Sequence, residues 1–134
     1  MSKCKILRLL LLLLLLLVSG CERQGDPIDE AEEVRVDLSV EPSPPAMGKA
    51  SLELFLEDPE GNPLEGALLE VKGDMTHAGM EPVLGKFDEF AGGYYHADFE
   101  WTMGGDWIVT ITGVLADGRE MVRIFEFTVN SGMN

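Results

Sequence analysis

The sequence predicts an all-β fold, an immunoglobulin-like antiparallel β-sandwich of about seven strands, and three observations carry that prediction. Apolar residues recur with a period of two from Val34 onward, turn residues punctuate the chain every eight to twelve positions, and no helical period appears after the N-terminal leader. A small barrel of similar strand number is the rival architecture, and periodicity alone separates the two poorly.

Val34, Val36, Leu38 and Val40 alternate with Arg35, Asp37 and Ser39, the mark of a half-buried first strand that Pro42-Ser43-Pro44-Pro45 ends. Ala50, Leu52, Leu54 and Leu56 define a second, stopped by Asp58-Pro59-Glu60-Gly61-Asn62-Pro63. A third covers Ala67 to Lys72, Gly73 to Pro82 reads as a loop, and a fourth runs from Val83 to Glu89. Ala91-Gly92-Gly93 turns the chain into a fifth strand, Tyr94 to Trp101, and Thr102-Met103-Gly104-Gly105 into a sixth, Asp106 to Val114. Ala116-Asp117-Gly118-Arg119 makes the last hairpin, into Glu120 to Val129.

If the turn at 91–93 centres one hairpin, Lys86 opposes Asp98, Asp88 opposes His96, Phe87 opposes Ala97 and Val83 opposes Trp101. Opposite charges then meet on one face and apolar residues on the other, as cross-strand pairing favours. The same register sets Met103 opposite Glu81, beside Met80.

Ahead of the strands, Lys3, Lys5 and Arg8 precede an unbroken apolar run, Leu9 to Val18. As a helix that run rises about 15 Å, half of a hydrocarbon core, so it is too short to span a bilayer and reads as a secretory signal. Leu17-Val18-Ser19-Gly20-Cys21 resembles the bacterial lipobox, in which cleavage precedes the cysteine and its sulfur receives a diacylglycerol. Residues 1–20 are therefore expected to be a lipoprotein signal peptide and Cys21 the lipidation site. Residues 21–33, mostly acidic or polar, are expected to be a solvated flexible tether, with the β-sandwich domain over 34–130. Cys4 leaves with the signal, so the mature chain has no free thiol for a disulfide, a thiolate site or a nucleophile. Glu22, rather than Asp, after the cysteine resembles the pattern that permits sorting to an outer membrane. The expected location is the cell envelope, on the periplasmic face of a membrane or the outer cell surface.

With 134 residues the chain holds one domain comfortably, and 46% apolar residues suffice for a core. From Cys21 onward seven Lys and Arg stand against 24 Asp and Glu, a formal charge of −17. Such a surface excludes nucleic acid as a partner and stands off anionic headgroups. The catalytic inventory is poor: two histidines, no Ser/His/Asp grouping, no phosphate loop and no His-Glu zinc motif. A non-enzymatic role is expected.

One cluster stands apart. Met75-Thr76-His77-Ala78-Gly79-Met80 puts two thioethers and an imidazole within six residues. Thioether sulfur is soft and uncharged and suits Cu(I) far better than Zn(II), Mg(II) or Ca(II). A methionine in a turn also needs a reason, since its side chain ordinarily fills gaps in a core. In an up-and-down path the connections after the third and fifth strands lie at one end, so Met75, His77, Met80 and Met103 would converge. His96 lies about 23 Å of strand from Met103 and is left out, paired with Asp88. Trp101 and Trp107, which flank the Met103 turn, are expected in the core. The plain alternative is that these methionines merely cap the sandwich and His77 is a surface residue.

The Met/His loop, Gly93-Tyr94-Tyr95, Phe99 and Met103-Gly104-Gly105-Asp106-Trp107 together resemble the YtkA-like domain, related to the FixH accessory proteins. The resemblance implies an extracytoplasmic immunoglobulin-like module, with copper handling near oxidase assembly and efflux as its associated role. FixH-type proteins carry a transmembrane anchor that this sequence does not match. The combined expectation is a lipid-anchored Cu(I) shuttle or buffer with a copper-transfer partner. The rival is a non-metal interaction module docking an envelope complex, with the methionines as an adaptable contact patch; a small-molecule carrier is disfavoured because seven short strands leave little interior.

Overall fold

The computed structural model describes residues 29–77 and 79–132. The signal peptide, Cys21, the tether up to residue 28 and Ala78 of the Met/His loop lie outside the described residues. The strands are β1 Arg35–Glu41, β2 Gly48–Glu57, β3 Leu68–Met75, β4 Val83–Ala91, β5 Tyr94–Trp101, β6 Gly105–Val114 and β7 Glu120–Val129. All pair antiparallel in the order β1-β2-β5-β4-β3-β6-β7.

The fold is the expected all-β, seven-stranded sandwich, and β4 is what makes two layers of it. Its first half pairs with β3, Val83 to Phe87 against Gly73 to Leu69, while its second half pairs with β5 through Asp88 with His96 and Glu89 with Tyr95. A register shift between Glu89 and Ala91 accompanies the crossing. Of the hairpin pairs expected from sequence, Asp88 with His96 therefore holds, whereas Lys86 with Asp98, Phe87 with Ala97 and Val83 with Trp101 do not. Lys86 instead faces Glu70 across the other layer, Nζ to Oε1 at 3.6 Å.

Between the layers lies one core. Leu52, Leu54, Leu56, Tyr95, Ala97, Phe99 and Trp101 from one sheet meet Leu69, Val71, Trp107, Val109, Ile111 and Met121 from the other. Leu52, Leu54 and Leu56 are fully buried, and each such side chain contributes about 1.5–3 kcal/mol. Trp101 and Trp107, both fully buried as expected, meet edge to face across the layers with centroids 5.2 Å apart.

Two boundaries depart from the sequence reading for physical reasons. β3 continues through Gly73 and Asp74 to Met75, because Gly73 leaves room for the Phe99 ring, which would come within 2.6 Å of a Cβ there. Met75 thereby becomes a strand residue paired with Trp107 rather than a loop residue. Asp29 to Glu33, expected within the solvated tether, are docked on the body: Ala31 is fully buried. Arg123 is the cause. It is an inward-facing residue of the edge strand β7, and its guanidinium ion-pairs with Asp29 and donates to the carbonyls of Ala31 at 2.7 Å and Val34 at 2.9 Å. Glu30 and Glu120 add a backbone bond of 3.0 Å, and Arg119 pairs with Glu33.

Because the seven strands all pair antiparallel with one another, odd-numbered strands finish at one pole and even-numbered strands at the other. The docked segment sits at the start of β7, at the pole where even strands finish. The same pole holds the Tyr95 hydroxyl, which accepts from the Ala67 N–H at 3.1 Å and donates to the Leu64 carbonyl at 2.8 Å.

Candidate functional site

At the other pole the connections after β3 and β5 meet. The loop leaving β3 is tied down at its start, where the Thr76 N–H donates to the Asp106 carbonyl at 3.3 Å. Met75 points inward, and its methyl lies 3.0 Å from where a Cβ would stand on Gly105. Gly105 has φ of 122°, so backbone conformation and the Met75 contact both favour glycine there. At the far end of the loop, the Thr102 hydroxyl donates to the Met80 sulfur at 3.7 Å. The Met103 turn is itself pinned, since the buried Trp107 Nε1 donates to the Met103 carbonyl at 2.9 Å.

The residues singled out by sequence are thus distributed in a definite way. Met75 and Met80 are partly buried and packed on the core, each against the β5–β6 turn. Met103 projects from that turn with 44% of its surface exposed, and His77 is exposed on the loop between them. His96 stands apart, on the outer face of β5 with its Nε2 3.5 Å from Asp98. The full-length β4–β5 register that would set Met103 opposite Glu81 does not form. The neighbourhood rests on the other expectation, that the connections after the third and fifth strands share one end, and on the tight Thr102 to Gly105 turn.

A residue missed by that argument is Met47. It ends the connection from β1 to β2, which finishes at this same pole, and is 46% exposed. Applying the alternation rule to the first strand as well as to the third and fifth would have found it. Also unforeseen is Ser131, which packs on Gly104 so closely that a Cβ there would lie 2.8 Å from it.

Chemically, this pole offers neutral soft donors. Among the described residues no three His, Cys, Asp or Glu side chains gather as a metal-binding cluster. Beneath the methionines, Trp101 Nε1 is buried without a hydrogen-bond partner among the described residues. The Trp101 ring itself packs among the rings of Phe99, Trp107 and Phe127.

Solved structures share the fold. A DUF4426 family protein from Pseudomonas aeruginosa PAO1 has a TM-score of 0.60 at 13% identity, over 81% of this chain and 100% of that one. CopC from Methylosinus trichosporium OB3b scores 0.51 at 16% identity over 75% and 98%, and the PmoD soluble domain from Methylocystis sp. strain Rockwell scores 0.50 at 15% over 71% and 90%. At such identities the likeness is one of architecture. No curated protein matches the chain. The YtkA-like family, in contrast, matches residues 28–112, more than half of the chain and the whole of β1 to β5, and the protein belongs to that family.

Proposed function

We propose that the protein is an extracytoplasmic Cu(I) shuttle or buffer, held to the envelope by lipid on Cys21, with Met75, His77, Met80 and Met103 as ligands to the ion. The observation that carries this reading is the meeting of two connections: the Met75 methyl rests against Gly105 and the Met80 sulfur lies 3.7 Å from the Thr102 hydroxyl, on either side of Met103. Thioethers need no deprotonation, so the ion can be taken up and released without moving a proton at sulfur. Ligands at the end of β3 and on the connections beyond it, two of them exposed, also suit an ion that is cargo. The family supports the reading, since copper handling is the role that the resemblance to YtkA-like and FixH proteins implies.

Titrating the purified protein with Cu(I) against a chromophoric chelator tests it. The wild type should compete, and a Met75→Leu/Met80→Leu variant should lose most of that capacity. Equal competition by the two would end the proposal. The anchor has its own test: a labelled fatty acid should be incorporated by the wild type and not by Cys21→Ala.

The exposure of Met47 and Met103, 46% and 44%, favours a second reading. In it the pole is a flexible apolar contact for an envelope protein, and association would survive complete copper chelation.

A further inference from the structure

The pole holds one more sulfur than the family's motifs contain. We infer that Met47 is a further ligand to the site, so that its donor set is predominantly thioether and selects a soft monovalent ion, Cu(I) or Ag(I). This rests on the Cu(I) reading above and extends it to the connection between β1 and β2.

Two independent backbone ties hold Met47 there. On one side its N–H donates to the Asn130 carbonyl at 3.1 Å, while the Asn130 N–H donates to the Pro45 carbonyl at 2.9 Å. Asn130 directly follows Val129, whose partner in the sheet is Gly105, the residue against which the Met75 methyl packs. On the other side Gly48 pairs with Trp101. Met47 is therefore one step beyond the pair that leads into Thr102, whose hydroxyl is bonded to the Met80 sulfur, and then Met103. Met47 is fixed between two strand ends: one runs into Thr102, which bonds the Met80 sulfur, and the other is paired with Gly105, against which the Met75 methyl packs.

The use of methionine across the chain points the same way. Of seven methionines, Met1 and Met133 lie outside the described residues. Met121 does what methionine ordinarily does and fills the core at 1% exposure. The remaining four, Met47, Met75, Met80 and Met103, all lie at this one pole. Two are partly buried against the core and two are close to half exposed. Hydrophobic capping alone gives no reason for exposed methionines on both the first and third of the pole's connections. A soft ion held from several sides does.

The test uses the whole protein with ¹³C-methyl methionine, each resonance assigned by its Met→Leu variant. Silver(I) serves as a redox-inert probe, and affinity is read for Cu(I) by chelator competition. The Met47 methyl resonance should move in step with those of Met75, Met80 and Met103, and Met47→Leu should weaken binding about tenfold or more. Because Met47 is exposed, the variant should keep the wild-type unfolding temperature, which separates a lost ligand from a lost fold. An unmoved Met47 resonance with undiminished affinity, while the other three respond, overturns the inference and leaves the Cu(I) site standing. No response from any methionine overturns both.

Discussion

The two poles of the sandwich are held together by different chemistry. The pole carrying Met47, Met75, Met80 and Met103 is closed by thioether contacts, by glycines that admit close neighbours and by one indole bond to a turn carbonyl. The opposite pole is stitched by charge: Arg123 on Asp29 and the carbonyls around Ala31, Arg119 between Asp117 and Glu33, and Asp58 wrapped by Asn62. Directional charged bonds specify one geometry. Soft, rotatable side chains tolerate several, which is what a surface that accepts and gives up an ion needs. The contrast teaches that charged side chains fasten the pole where the chain enters, whereas at the pole proposed for binding a backbone held by its own hydrogen bonds carries adjustable side chains.

Four measurements sharpen or break that contrast. Trp107→Ala should have the largest effect, about 3–5 kcal/mol of stability in denaturant unfolding, because it empties a fully buried site and releases the Met103 carbonyl. Arg123→Met should cost about 1.5–3 kcal/mol and raise amide exchange over Asp29 to Val34, with Cu(I) affinity unchanged. If exchange there stays as in the wild type, Arg123 is not what holds the segment. Tyr95→Phe should cost about 1–2 kcal/mol by leaving the Ala67 N–H and the Leu64 carbonyl without their partner. Burial raises the Tyr95 phenol above its ordinary value, so the hydroxyl stays protonated and both bonds persist throughout the physiological range.

The smallest effect is that of acid. Hydrogen bonds from Asn62 hold the Asp58 carboxyl below its ordinary value, bonds from Arg119 do so for Asp117, and its own backbone N–H, then Arg119, for Glu33. Groups lowered on folding stabilise fully above the unfolded-state values of 3.8 for Asp and 4.5 for Glu. That contribution disappears as pH falls through the lower folded-state values. Below pH about 4 the charged pole should therefore loosen first, read as faster exchange at residues 29–33 and 58–62 while the Met103 turn keeps its protection. Simultaneous loosening of both poles would erase the distinction.

How much of this was legible depended on the range of the cause. Period-two patterning gave all seven strands, because alternation is local and the buried sets, Leu52, Leu54 and Leu56 among them, are long. The division of β4 between two partners was not legible. Pairing Lys86 with Asp98 satisfies charge as well as pairing it with Glu70 does, and only the assembled layers choose. The end of β3 was misplaced for a related reason: Gly73 reads as a breaker until the Phe99 ring is there to require it. Asp29 to Glu33 look like solvated spacer by composition, and their docking depends on Arg123, roughly ninety residues away. At the candidate site, the convergence of the β3 and β5 connections followed from strand parity alone, and Met47 escaped only because that parity was not carried back to β1.

The docking of Asp29 to Glu33 beside the start of β7 also gives the molecule a heading. β7 climbs ten residues from there, about 30 Å, to Val129 at the methionine end. Whatever grips the chain upstream of Asp29 thus holds a short mast by its foot, with the sulfurs at the masthead. If lipid on Cys21 is that grip, as proposed, a dissolved carrier reaches the sulfurs from the open compartment, whereas a neighbour embedded in the bilayer has to extend to that height.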